Sequence, residues 1–185
     1  FLGVAACDDC LGVFPFWYCS KLSYFFDSGI NVRGLLCAWR ATQESEFLET
    51  ALSAGRGMLA HFRAAGAIHP ILTLPDRKPR PYEARWSASP GCYQLKSAMA
   101  WFELFKVTGE SCFLAAYESA LERALASERD FLPGESDPQK VVDRLHAHAY
   151  LLEGLVPVPN LTDAAQPFRA GTAGASGPRL EVAPV

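Results

Sequence analysis

The sequence predicts an all-α protein made of stacked antiparallel α-hairpins, part of an α/α toroid, and three observations carry that reading. One hairpin phrase is written twice, 66 positions apart: Arg40-Ala41-Thr42-Gln43-Glu44-Ser45-Glu46-Phe47-Leu48-Glu49 recurs as Lys106-Val107-Thr108-Gly109-Glu110-Ser111-Cys112-Phe113-Leu114-Ala115. Each copy has an apolar-periodic helix on both sides, and units that cannot bury their apolar faces alone stack into solenoids or toroids. The third observation is length. Hairpins repeating at 66 positions fit fewer than three times into 185 residues, too few to close a ring, so the chain reads as part of a larger assembly.

Taken in order, the elements justify themselves unevenly. Phe14-Pro15-Phe16-Trp17-Tyr18 is an aromatic run compatible with either a strand or a helix start. Asp27 or Ser28 can cap a helix in which Val32, Leu35, Leu36 and Trp39 recur at i, i+3, i+4 and i+7, the stripe of a buried face. Thr42 to Ser45 make the turn, and a second helix runs through Leu48, Ala51, Gly55, Met58 and Phe62, its Gly55 and Gly57 permitting close approach. Residues 28–63 are therefore the first αα-hairpin.

Residues 64–91 carry Pro70, Pro75, Pro79, Pro81 and Pro90 among Arg77, Lys78, Arg80 and Arg85. A connection this long inside a helical protein is functional or disordered, and its Tyr82 and Trp86 favour an ordered lid over one end of the helices against a solvated basic linker. A second hairpin, 92–127, follows, with Leu95, Ala98, Met99, Phe102 and Phe105 on one helix and Leu114, Tyr117, Leu121 and Leu125 on the other. The stretch from Pro133 to Pro138 turns and starts a last helix over 139–155, which Pro157 and Pro159 stop. Residues 1–160 thus form the hairpin domain. Residues 161–185, rich in Ala, Gly, Pro and Thr without apolar period, are expected to be a flexible tail.

Composition narrows the function classes. A net charge of −3 supplies no basic field for nucleic acid. The apolar stretch from Phe1 to Phe26 is broken by Asp8, Asp9, Pro15 and Lys21, so no membrane span is expected. Cys7-Asp8-Asp9-Cys10 has the spacing of half a zinc site but no second pair short of Cys19 or a distant His, so neither metal nor cofactor is expected. Cys37 and Cys112 fall in helical patterns and read as small buried hydrophobes. Reduced thiols favour a cytoplasmic location, while a first residue other than Met leaves export open.

The chemistry concentrates on the last helix and on the starts of the others. Asp143, His146, Tyr150 and Glu153 lie at i, i+3, i+7 and i+10, a polar stripe opposite Leu145, Leu152 and Leu155. A carboxylate, an imidazole and a phenol on one face suit proton transfer and hydroxyl recognition in a cavity; the alternative is a solvent-facing stripe. His148 pairs with Arg144 on a flanking face. Asp27 and Asn31 open one helix and Tyr93, Gln94 and Lys96 another, where helix starts can face a shared cavity, and Trp86 can stack on a sugar ring. No Ser-His-Asp spacing, phosphate loop, dinucleotide fingerprint or HExxH motif is present.

The run from Phe26-Asp27-Ser28-Gly29-Ile30-Asn31-Val32 through Ala41-Thr42-Gln43-Glu44, the second hairpin, and His146-Ala147-His148-Ala149-Tyr150-Leu151-Leu152-Glu153-Gly154-Leu155 resembles the six-hairpin (α/α)6-toroid superfamily over about residues 26–156. That superfamily includes glycoside hydrolases, unsaturated-uronyl hydrolases, N-acylglucosamine 2-epimerases and the helical domain of glucuronyl C5-epimerases. The resemblance implies a carbohydrate in a central funnel and acid/base catalysis by Asp, Glu, His or Tyr. The expected catalytic set is Asp27, His146, Tyr150 and Glu153, with Trp86, Tyr93, Gln94, Lys96 and Asp143 binding substrate. The rival reading is a noncatalytic helical-repeat module for a protein or glycan partner. Because half the hairpins of such a toroid are missing, pairing with a second copy or with the missing hairpins is expected.

Overall fold

The computed structural model describes residues 12–17, 20–83, 85–129 and 136–157. The expected flexible tail 161–185, the Cys7 and Cys10 pair, Cys19 and most of the Pro133 turn lie outside the described residues. Five helices dominate: α1 (Phe25–Thr42), α2 (Ser45–His61), α3 (Leu95–Thr108), α4 (Ser111–Ser127) and α5 (Pro138–Gly154). The all-α expectation holds, with two antiparallel hairpins, α1/α2 and α3/α4, and α1 beside α3.

The repeated phrase folds twice into one device. Gln43 takes a left-handed conformation with φ 61° and sends its N–H to the Trp39 carbonyl; 66 residues on, Gly109 has φ 74° and sends its N–H to the Phe105 carbonyl. Thr42 Oγ1 donates to the Ala38 carbonyl and accepts from the Glu44 N–H at 3.0 and 3.2 Å. Thr108 repeats this on Leu104 and Glu110 at 2.9 and 3.1 Å. Each left-handed residue closes the C-terminus of one helix, and each hydroxyl then sets the direction of the next.

The core lies between α1, α2, α3 and α4. Trp101 of α3 is fully buried, touches Phe25, and donates its indole N–H to the Gly55 carbonyl at 3.2 Å, where an added Cβ would collide with Leu104. Phe62, Phe113, Leu36 and Met58 complete it. Across the α1–α3 contact, Arg33 Nε and Arg40 Nη1 share the Glu103 carboxylate at 2.7 and 3.2 Å.

Residues 63–79 are not irregular throughout. β1 (Leu22–Tyr24), β4 (Ile71–Thr73) and β5 (Lys78–Pro79) form an antiparallel sheet in the order β1-β4-β5, with Ser23 opposite Leu72 and Leu72 opposite Pro79. β2 (Arg63–Ala64) and β3 (Ala67–Ile68) make a small hairpin. β1 runs straight into α1, so the helix starts at Phe25 and neither Asp27 nor Ser28 caps it; Asp27 sits in its first turn and Ser28 Oγ bonds back to the Tyr24 carbonyl. The sheet is tied to that helix start by the Phe25 N–H on the Pro70 carbonyl.

α5 is capped as expected, Pro138 in its first turn and Asp137 accepting from the Gln139 N–H at 2.9 Å. It packs across the N-terminal end of α3, and Tyr117 of α4 donates to the Gly154 carbonyl at 2.6 Å. Its inward residues are Ala147, Leu151 and Gly154, whereas Leu145 and Leu152 are 63% and 66% exposed. Small residues let α5 lie close to Leu95, and the bulkier leucines opposite the polar stripe turn outward. Cys37 and Cys112 are likewise exposed, not buried. Each sits one residue from a buried neighbour, Leu36 or Phe113, a step that rotates it out of the core.

Candidate functional site

The first turn of α1, the sheet and the segment before α3 enclose a cleft of about 350 Å3. Its walls are aromatic: Phe16, Tyr24, Phe26, Trp86 and Tyr93. Local structure explains the gathering. β1 delivers Tyr24, the strand-to-helix junction delivers Phe26 and Asp27, and the 3-10 turns Trp86–Ala88 and Cys92–Gln94 deliver Trp86 and Tyr93. Asp27 and Tyr93 are counterparts in the 66-residue repeat, so equivalent helix starts line one cavity from two sides.

Tyr93 is buried, donates its hydroxyl to the Ser89 carbonyl at 3.0 Å, and meets Trp86 edge-on with centroids 5.1 Å apart. Burial pushes the phenol well above its ordinary value, so Tyr93 acts as a neutral hydrogen-bonding wall. Asp27 is half-buried, and desolvation raises its carboxyl above 3.8, partly opposed by a hydrogen bond from its own backbone. A carboxyl displaced upward in an apolar cleft is suited to hold a proton for delivery.

Three further charged residues line the same cleft that the sequence did not mark as site residues: Arg80, Glu83 and Arg85. Arg80 Nη2 bonds Glu83 Oε1 at 2.9 Å. Glu83 is held in place by its backbone, its N–H reaching the Ala88 carbonyl at 3.3 Å and its carbonyl accepting from Ser89 Oγ. The signal that could have found it is its place between Tyr82 and Trp86 in a segment whose aromatic residues already argued for order.

The remaining sequence candidates divide. Tyr150 backs the aromatic wall, its ring 4.9 Å from Phe26 and 6.3 Å from Trp86. Lys96 Nζ lies 4.3 Å from the Tyr150 centroid and 2.8 Å from Glu153, and its side chain is only 18% exposed. His146 stacks on Tyr150 at 6.3 Å from the solvent side. These four form a chain of contacts behind the wall, yet His146, Glu153 and Lys96 do not line the cleft. Gln94 is buried in a structural role, its amide N–H on the Ile68 carbonyl at 3.0 Å and its Oε1 accepting from the Gly91 N–H at 3.1 Å. Asp143 stays on α5 near Gln139, at 3.5 Å. Asn31 is exposed and does not line the shared cavity expected of it.

A second depression of about 450 Å3 runs along α2 past Glu49, Arg56 and His61. It has no aromatic ring apart from His61, whose imidazole is held below its ordinary pKa by burial and the Arg77 charge, so it lacks a stacking platform. Among the described residues no group of three or more His, Cys, Asp or Glu side chains could hold a metal ion, and no helix is long and apolar enough to cross a membrane.

No family model matches the chain, and no curated protein matches it. Among solved structures, a family 76 glycoside hydrolase from a bovine Bacteroides thetaiotaomicron strain is similar at a TM-score of 0.47 and 13% identity, over 59% of this chain. This chain spans 24% of that protein's length. A likeness so loose and partial says nothing about which residues act, and the site rests on its own geometry.

Proposed function

We propose that the protein is a carbohydrate-active enzyme, of glycoside hydrolase or sugar epimerase type, working in the aromatic cleft at the start of α1, with the described hairpins as part of an α/α toroid. The observation that carries this reading is the half-buried Asp27 carboxyl, raised by desolvation, in a cleft walled by Tyr24, Phe26, Trp86 and Tyr93. Sugar rings present apolar C–H faces that stack on aromatic rings and hydroxyls that need short polar partners, and the cleft offers both. Asp27 is the proton donor. Glu83, ion-paired with Arg80, is the second carboxyl that hydrolysis of a glycosidic bond requires. Tyr150 and Lys96 brace the Phe26 wall, and His146 and Glu153 extend the polar surface beyond it.

The test is turnover of a panel of oligosaccharides, read as released reducing ends and as deuterium exchange at ring carbons. Asp27→Asn is expected to lower turnover by at least about a hundredfold, the usual contribution of a general acid, and Glu83→Gln to do the same for hydrolysis but not for epimerisation. Full activity in Asp27→Asn sinks the reading. A noncatalytic helical-repeat module is the second reading, favoured by the exposed apolar residues Val141, Leu145 and Leu152 on α5 and Val156 just beyond it, and it is the one left if sugars bind without turnover.

A further inference from the structure

The charges around the cleft are not all paired. Arg80 is taken by Glu83 at 2.9 Å. Arg85 lines the same cleft, is exposed, and has no acidic partner among the described residues. It directly precedes Trp86, so the cation stands beside the ring on which a sugar would stack. This unpaired guanidinium sits on a chain whose net charge is −3. A planar guanidinium offers parallel N–H donors matched to a carboxylate or a sulfate.

We infer that the cleft selects an anionic saccharide, with Arg85 holding the acidic group of the sugar whose ring stacks on Trp86. This rests on the saccharide reading of the same cleft. A neutral sugar would leave Arg85 facing only water, whereas a uronate or sulfated sugar gains a charge-assisted bond there. Both sources of the anion share that chemistry, and a matched set of ligands distinguishes them.

The experiment is titration of the full chain with a trigalacturonate, a sulfated galactose trisaccharide and neutral galactotriose, followed by protein NMR. One of the two anionic ligands is expected to bind at least about tenfold more tightly than the neutral one, and to lose most of that advantage in 0.5 M NaCl as the ionic attraction is screened. Arg85→Gln should weaken that anionic ligand about tenfold, the worth of one charge-assisted contact, and leave the neutral trisaccharide unchanged. Trp86→Ala should weaken all three. Equal binding of the three ligands, or no effect of Arg85→Gln while Trp86→Ala still abolishes binding, overturns the anionic preference but leaves the saccharide cleft standing. No binding of any saccharide overturns both.

Discussion

The two hairpins share a phrase but not a setting. α3 is buried along nearly its whole length, Leu95 and Ser97 through Phe102 with Leu104 and Phe105, because α1, α4 and α5 all lie against it. α1 buries only Phe25, Ser28, Gly29, Val32 and Leu36. The turns between helices nonetheless share the same left-handed closing bond and the same pair of threonine hydrogen bonds. Local chemistry therefore decides how each hairpin is made, and position in the stack decides what its residues then do. At the helix starts the counterparts Asp27 and Tyr93 give one cleft a carboxyl and an aromatic wall.

The comparison breaks most severely where α1 meets α3. Gly29 of α1 is buried against Ser97, and an added Cβ would stand 2.6 Å from the Ser97 Cβ and 2.5 Å from its carbonyl oxygen. The backbone of α3 cannot yield there, since Ser97 Oγ is itself bonded to the Phe26 carbonyl at 3.0 Å. Gly29→Val is expected to destabilise by about 3 kcal/mol or more, at the upper end of overpacking costs, measured by urea unfolding. The same analysis of Gly34→Val, where nothing lies within 4 Å, should show no loss and a gain of up to about 0.5 kcal/mol, valine being the better helix former. Equal losses at the two positions would mean that the α1–α3 contact does not organise the core.

A finer test concerns the two left-handed turn residues. Gly109 has no neighbour within 4 Å of an added Cβ, so Gly109→Ala is expected to cost only the backbone penalty of a non-glycine residue, roughly 1–2 kcal/mol. Gln43 occupies the equivalent conformation and offsets its strain with Nε2 on the Trp39 and Arg40 carbonyls at 3.3 and 3.0 Å. Gly109→Gln should therefore cost less than Gly109→Ala, and Gln43→Gly should change stability by no more than about 0.5 kcal/mol, strain relief offsetting the lost bonds. Chemical unfolding of the three variants checks the order. If Gly109→Gln is worse than Gly109→Ala, the two turns are not interchangeable.

What was legible in the sequence follows the same division. The turns and the four helices around them were legible because the repeated phrase carries its own hydrogen-bonding logic, whereas the first hairpin's outer ends, expected at 28 and 63, lie at Phe25 and His61. The strands were not: Leu22–Tyr24 is three residues hidden in an aromatic run, and its partner Ile71–Thr73 lies between prolines, both too short to show an alternating pattern. Asp27, Trp86 and Tyr93 were readable as helix-start and lid residues, and they do meet in the cleft. Glu83 and Arg85 were not readable as site residues, since only the folding of 64–91 back over the α1 start brings them there. The packing side of α5 was not readable for a physical reason. It is apolar on two sides, and its larger side chains, Leu145 and Leu152, stand out over Ala147 and Gly154 in the pattern although the small side is the one that packs.

The smallest expected effect is on the charge that separates the two helix starts. Desolvation raises the Asp27 carboxyl in the folded protein, against the opposing pull of the α1 N-terminus and its backbone hydrogen bond. A carboxyl whose folded value lies above its unfolded one contributes stability below the ordinary 3.8, and that stability is lost as pH rises through the folded value. Above that folded value the native protein has lost it, whereas an amide at this position never ionises. Asp27→Asn is expected to raise the melting temperature at pH 7 by about 2 °C, a fraction of a kcal/mol in a chain of this size, and the difference should vanish as pH falls below 3.8. Tyr93→Phe, at the counterpart position, should show no such pH dependence across the same range, because its phenol stays neutral there. A melting temperature that falls in Asp27→Asn at pH 7 would mean that the helix terminus, not burial, governs this carboxyl, and that Asp27 is held as an anion where the proposed chemistry needs an acid.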